Sequence, residues 1–403
     1  MSWDTIKLGD YIETLTDYHA NGAYKKLKAN VELKYKSDYA LMIRTLNFEQ
    51  NNFNSNLIWV NETEYNFLSK SKVYPDDIIM NKIANAGSVY IMPNLNRPVS
   101  LAMNLFLIRF KELDQKFMYY LMKTNELYIK SFANGVATQS ITKDAVRNLE
   151  FEIPSKTTQK RIADILSAYD DLIENNLKRI NLLEQSAQNI YKEWFVNLRF
   201  PGYENTSINE ETGLPEGWQE VLAKKYFDFK RGIEVGSKNY ITEESENTIP
   251  FLRVGSLGSR DKDVFTNISL VKDRILNFND LCISMDGTIG LVGYGLIGAY
   301  STGLRKIVPK FNKYGNGFIY SLLKSDDIQD AIRAYAKGST ILHASSSIEH
   351  LKFNDAPDEI SNQFNELVEP IYMKLLNLNK QIEKLKVARD ILSPRLMNRT
   401  IEV

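Results

Sequence analysis

The chain has 403 residues, 43% of them hydrophobic, with 50 basic side chains against 50 acidic ones. That length favours two domains, each able to bury a core, and the balanced charge gives no polyanion-binding signature of its own while leaving room for a local basic cleft. The polar opening MSWDTIKLGD, the lack of any apolar run near the ~20 residues of a bilayer span, and a single cysteine, Cys282, argue against a signal peptide, a membrane anchor and an internal disulfide, so the expected compartment is the cytoplasm.

In chain order, a first domain over 1–155 opens on Trp3, followed by Ile6 and Leu8. The runs MIRTL (42–46), DIIMNKI (77–83) and LFLIRF (105–110) have the length of strands and are bounded by turn residues. Residues 115–133 read as a helix, and FANGVATQSITKDAVRNLEFEIP (132–154) sets Gly135 in a loop ahead of a strand. A long helix is predicted over 157–194, within a spacer segment 156–198. Ile162, Tyr169, Asn176, Leu183 and Ile190 recur every seven residues beside a second row of Leu166, Ile173, Ile180 and Ala187, which makes a coiled-coil seam. Asn176 either fixes register on that seam or is a solvated, tolerated site. At 1.5 Å per residue the helix is roughly 57 Å long. The segment 199–217, rich in Gly, Pro, Asn and Glu, reads as a linker.

The rest of the chain repeats this plan. In the second domain, 218–357, Trp218 precedes Val221 and Leu222, FLRVGSL (251–257) answers MIRTLNF (42–48), and DLCISMDGTIG (280–290) answers DIIMNKIANAG (77–87). FIYSLL (318–323) then answers FMYYLM (117–122), and YAKGSTILHASSSIEHLKFNDAP (335–357) answers the Gly135 block. FLRVG, DLCISM and RKIVP read as strands and 316–336 as a helix. Gly338 follows Gly135 by 203 residues, as Pro357 follows Pro154. A second long helix, 358–403, carries Phe364, Ile371, Leu378, Leu385 and Leu392 beside Val368, Leu375 and Ile382, each 202 residues after its counterpart. Pro370 is expected to kink this helix or mark its effective start. Each stripe would be wet alone, so the two helices are expected to pair.

No catalytic constellation assembles from the sequence. GTIGLVGYGLIG (287–298) is glycine-rich but mis-spaced for a dinucleotide fingerprint, and GxxxxGK[ST] is absent. No Asn/Asp-Pro-Pro-aromatic signature for methylating a flipped base is present. His19, His343, His350 and Cys282 are too few for a usual zinc site. The expectation is a chain that is not an enzyme and binds neither metal nor cofactor.

IYKEWFVNLRFPG (190–202) and GLPEGW (213–218) resemble the centre of the type I restriction–modification specificity subunits, the HsdS family. The block from Gly135 through Ile141 and Pro154 to Gln159 and Ile162 is similar, as is the segment 280–290. The resemblance covers essentially the whole chain and includes its duplicated plan. It implies an α+β fold of two similar target-recognition domains in a pseudo-two-fold arrangement, separated by an antiparallel coiled coil of the two long helices. It further implies that each domain reads one half of an asymmetric double-stranded DNA site. The helices would set the gap and dock two methyltransferase subunits carrying S-adenosylmethionine, with room for restriction–translocase subunits. The chain departs from the family pattern where DIIMNKIANAG lacks the Gly-Thr of its partner, and where TTQ (157–159) and SNQ (361–363) replace the usual Pro-rich approach to each helix. Two other readings stay open: a coiled-coil scaffold with protein-binding domains, and the targeting part of another DNA methyltransferase or restriction enzyme.

DNA contacts are expected from basic and small polar side chains. The candidates in the first domain are Lys34, Lys36, Arg44, Asn81, Lys82, Asn85, Thr138, Gln139 and Ser140. In the second they are Arg231, Lys238, Arg253, Arg260, Arg305, Lys337, Ser339, Thr340 and His343. Exposed Lys and Arg are the default on any surface, so many of these need never touch DNA. Arg44 and Arg253 hold matching positions, and either tie down a loop or contact DNA. The Gly135 and Gly338 loops either face phosphate through backbone N–H groups or are plain turns. The unmatched stretches 18–40, 54–72 and 231–247 are where differing base preferences would sit.

Overall fold

The computed structural model describes residues 3–135, 138–259 and 263–403. It divides into two units, Met1–Leu172 with Leu385–Val403, and Ile173–Lys384. Each long helix therefore gives one part to each unit.

The first unit holds strands Asp4–Lys7 (β1), Ile12–Asp17 (β2), Ala40–Ile43 (β3), Ile58–Val60 (β4), Lys72–Val73 (β5), Ile78–Asn81 (β6), Val89–Ile91 (β7), Val99–Leu101 (β8), Leu105–Phe110 (β9) and Glu150–Ile153 (β10). They form a β1-β10 ribbon and two sheets, β2-β9-β6-β7 and β4-β3-β8-β5. The second unit holds Gln219–Leu222 (β11), Phe227–Arg231 (β12), Thr248–Leu252 (β13), Phe265–Asn267 (β14), Ile275–Leu276 (β15), Leu281–Ser284 (β16), Val292–Gly293 (β17), Gly298–Tyr300 (β18), Leu304–Pro309 (β19) and Lys352–Asp355 (β20). Their order is β11-β20, β12-β19-β16-β17 and β14-β13-β18-β15, the first unit's order strand for strand. Even the parallel pairing recurs: Ile43 lies opposite Leu101, and Leu252 opposite Tyr300. The class is α+β, and the duplication is one of topology as well as sequence.

Burial explains the strands. β6 and β16, read from the apolar runs IIMN and LCIS, are buried along their whole length, as a strand covered on both faces must be. Cys282 sits in β16, where burial pushes its thiol up to about 12. β10 alternates, with Phe151 and Ile153 inward and Glu150 and Glu152 outward.

Several predicted elements end early, for local reasons. The strands in MIRTL and FLRVG stop at Ile43 and Leu252, because short helices Thr45–Glu49 and Val254–Ser259 begin just beyond Arg44 and Arg253. The predicted helix 115–133 is two helices, Gln115–Thr124 and Glu126–Lys130, and 316–336 is Asn316–Lys324 and Asp326–Ala334. At each break a polar side chain takes a helix carbonyl: Asn125 Nδ2 donates to Leu121 O at 2.8 Å, and Ser325 Oγ to Leu322 O at 2.7 Å.

The first long helix spans Lys156–Tyr191 and continues as a π-helical turn, Lys192–Val196, where the Tyr191 and Phe195 rings stack 5.2 Å apart. The second spans Asp358–Met397 and runs through Pro370, which neither starts it nor ends it. Pro370 and Glu366 are exposed, so water can reach the carbonyl that the missing N–H leaves free. Ile162, Leu166, Ile173, Ile180, Phe364, Val368, Leu375, Leu378 and Ile382 are buried as the seam predicts. Tyr169, Leu183, Ile190, Ile371, Leu385 and Leu392 are half-buried at its margin. Tyr372, Leu376 and Asn379 are buried although they lie off the predicted rows. The stripe is wider than a two-helix seam because each helix also packs on its own domain: Tyr372 lies 6.0 Å from the Tyr320 ring, and Ile162 and Leu166 join the first domain's core with Phe117 and Leu121. Within the second unit Asn176 meets Gln381, and Tyr191 meets Phe364, so the helices run antiparallel. Asp170 meets Arg389 in the first unit. Among the described residues no helix is long and apolar enough to cross a membrane.

Candidate nucleic-acid interface

In both units the central strand of one sheet runs out into a loop, and a glycine loop from further along the chain is bonded to it. After β6, Ala84 N–H donates to Gln139 O at 3.0 Å, and Ile141 N–H to Lys82 O at 3.0 Å. After β16, Gly287 N–H donates to Leu342 O at 2.8 Å, and Ala344 N–H to Met285 O at 2.7 Å. The glycine loops close on themselves through paired bonds, Asn134 with Ser140 and Lys337 with His343. Gly135 has φ +125° and Gly338 φ +107°, and a Cβ there would stand 2.4 Å from Thr138 O and 2.2 Å from Ile341 O. Only glycine closes these loops without displacing backbone.

The closure gathers many of the sequence candidates. In the first unit Thr138, Gln139 and Ser140 come beside Lys82 and Asn85, and Thr45, next to Arg44, donates to Asn81 Oδ1 at 3.0 Å. In the second unit Arg253, Asp286, Gly287, Ser301 and Thr302 line one cavity of about 690 Å³ with Glu234, Tyr240 and Asp263. His343 Nδ1 lies 2.7 Å from Asp286 Oδ1, which fixes the ring at the cavity's edge. Thr138, Gln139, Asn85, Arg231, Lys337, Ser339, Thr340 and His343 are exposed there, and Ser140 is half-exposed. Lys238 is exposed in the turn Ser237–Asn239, between two cavity residues.

Other candidates are placed differently. Asn81 is fully buried and bonded to Thr45 and to Tyr90 Oη, so its amide is a core group rather than a surface contact. Arg305 is also buried: Nη1 donates to Thr302 O at 2.6 Å and Leu304 O at 3.0 Å, and Nη2 to Ser345 Oγ at 2.6 Å. Burial, with help from the Arg231 charge, moves its guanidinium below the usual arginine range. Lys34 is paired with Asp38 at 2.7 Å and bridges to Trp59 of β4, and Lys36 is exposed two residues on. Lys82 is half-buried and paired with Asp17 at 2.8 Å. Arg260 lies outside the described residues.

Asp17 and Lys143 belong to the same cluster and were not among the candidates. Asp17 holds Lys82 on one carboxylate oxygen and Lys143 on the other at 3.2 Å, with both ammonium groups near the Phe106 ring. Burial raises the Asp17 carboxyl, but the hydrogen bond from Lys82 and the two lysine charges outweigh it and hold the group below its ordinary value. A search for donors passes over an acid. The signal that remained was Lys143, two residues past the Gly135 loop's closing strand position at Ile141.

Residues 2–185 match the family described as type I restriction modification DNA specificity domain. The chain is 27% identical over 299 residues to the type I restriction enzyme MjaIX specificity subunit of Methanocaldococcus jannaschii, covering 70% of this chain and 68% of the relative. It is 24% identical over 355 residues to the type I restriction enzyme HindI specificity subunit of Haemophilus influenzae, covering 70% of this chain and 76% of that one. In fold it is similar to the crystal structure of a type I restriction–modification system S subunit from M. genitalium, with a TM-score of 0.56 at 18% identity, over 98% of this chain and 96% of the other.

Proposed function

The chain belongs to the family of type I restriction–modification specificity subunits, and from that premise we propose that each of its two domains reads one half of an asymmetric, two-part duplex DNA site. One observation carries this reading. The two units share a strand order and a glycine loop, but the side chains presented around that loop differ. A shared frame supports one mode of docking on DNA, and different side chains support different base preferences.

The long helices act in this reading as spacer and as docking surface for methyltransferase subunits, which would hold S-adenosylmethionine. In the second unit Leu177, Leu182, Leu367 and Met373 are exposed apolar residues on these helices, as a docking face requires. Two domains on a stiff helix pair would contact half-sites about one turn of duplex apart, ~34 Å. Adding a heptad to both helices, roughly 10 Å, would lengthen the unread gap.

The test is to co-express the chain with the methyltransferase subunit of its own system and map the modified bases. A two-part motif with a fixed gap is expected. A continuous motif, or binding to duplex that does not weaken as salt rises, would contradict the reading.

A further inference from the structure

Arg44 and Arg253 occupy the same place in the two units. Each follows the strand that makes its unit's parallel pair and precedes a short helix. Each backbone N–H is taken by the side chain three residues on, Asn47 Oδ1 at 2.9 Å and Ser256 Oγ at 3.2 Å. The turn that carries the arginine is thus the same in both.

The two guanidinium groups also share an unusual state. Nε of each is shielded from water and has no hydrogen-bond partner among the described residues. A charged group with a shielded, unused donor is costly. The same atom is left so at matched positions, although the loops around them differ. Each guanidinium is held through one outer nitrogen, and that of Arg253 also lies over the Tyr240 ring at 5.8 Å. Arg44 Nη2 donates to the Asn56 carbonyl, and Arg253 Nη2 reaches the exposed Asp263 carboxylate at 3.3 Å. Among the described residues, neither arginine is engaged through both prongs of its fork by an internal acceptor.

The lining of the second unit's cavity indicates what such a fork would meet. Arg253 shares the cavity with Glu234, Asp263 and Asp286. Asp263 lies against the guanidinium, and acidic groups on the same lining disfavour phosphate oxygens there. Base edges suit both kinds of group: guanine O6 and N7 accept from an arginine fork, and the amino groups of cytosine and adenine donate to acceptors such as carboxylates. We propose that Arg44 and Arg253 are equivalent base-reading arginines, one per domain, each leaving its internal acceptor for the O6/N7 edge of a guanine. The assignment rests on the reading that both domains bind DNA.

The test uses the full-length chain assembled with its methyltransferase subunit to select from a library of randomised duplexes. Wild type is compared with Arg44→Lys, Arg44→Ala, Arg253→Lys and Arg253→Ala, each checked for an unchanged unfolding midpoint. The Arg44 variants should lose preference for guanine at one position of one half-site, and the Arg253 variants at one position of the other. The loss of discrimination should be on the order of 10- to 100-fold. The Lys variants keep the charge, hence the Lys forms carry the test if an Ala form does not fold. Uniform weakening on all sequences with a shallower salt dependence would make these residues phosphate contacts and overturn the proposal. Unchanged motifs in folded variants would overturn it equally. A wild-type chain that selects no motif would instead overturn the DNA-reading function on which it rests.

Discussion

Where β2 ends beside β9, Asp17 stands opposite Phe106; where β12 ends beside β19, Arg231 stands opposite Arg305. The backbone positions correspond, since Phe106 and Arg305 each follow the leucine that pairs with the last residue of the central strand. The chemistry is inverted. The first unit puts an acid there and gathers two lysines onto it over an aromatic ring. The second puts two arginines side by side and buries one of them among carbonyls. A duplicated frame therefore need not present a duplicated charge pattern.

The comparison can be broken most severely at Arg305. Arg305→Ala takes the side-chain donor from Thr302 O and Ser345 Oγ, leaves Leu304 O with the Gly232 N–H alone, and opens a cavity at a buried position. A loss of about 2–4 kcal/mol is expected in chemical unfolding of the full chain. A neutral result would mean that the arginine is held in reserve for DNA rather than built into the fold.

Gly338→Ala and Gly135→Ala test whether the shared loop is shared in mechanics. Each adds a Cβ against a loop carbonyl at positive φ, and each should cost about 1–3 kcal/mol or open the loop. Hydrogen exchange at His343 and Ser140, whose amides close the two loops, would report it. Equal losses support a common framework, and protection lost in one loop alone would break the comparison.

Asp17→Asn should cost about 1–2 kcal/mol at neutral pH, a moderate effect because both lysines still reach water. The sign with pH is fixed. A carboxyl held below its ordinary value stabilises fully above roughly pH 4 and loses that contribution as pH falls through its lower folded value. Acid titration of stability should therefore flatten in Asp17→Asn. The second unit keeps its own acid-sensitive carboxyl, Asp355, where burial is outweighed by Lys313, Tyr226, Tyr314 and Gln219. Asp355→Asn should reduce the dependence further and additively, while Asp38, held low by Lys34 and the Tyr39 N–H, keeps a part of it.

The smallest effect is expected on the helices. Asn176 is buried, yet its bond to Gln381 is long at 3.5 Å. Asn176→Leu should raise stability by less than about 1 kcal/mol and loosen register. A thermal midpoint with a cysteine cross-linking scan along the pair reads both quantities.

Much of this frame was legible in the residues. Heptad spacing marked the buried seam, and the order of apolar runs marked the strands, because both depend on burial that repeats with a period. The candidate site was legible less evenly. Residue type alone cannot separate an exposed asparagine such as Asn85 from a buried one such as Asn81. The repeat held the needed hint for Arg305: its counterpart is Phe106, an aromatic residue at a core position. The unpaired Nε atoms of Arg44 and Arg253 depend on how each loop covers its arginine, and no spacing encodes that. Pro370 does not mark the start of its helix, because an exposed proline abandons a carbonyl that water can serve.

The central claim is that each domain reads its own half-site within a shared frame. It is tested most directly by replacing residues 218–357 with a second copy of 1–155 and mapping the bases modified by the assembled complex. The account predicts a motif whose two halves are the same and match one half of the wild-type site. A folded chimera that still directs modification to the wild-type asymmetric motif would contradict it.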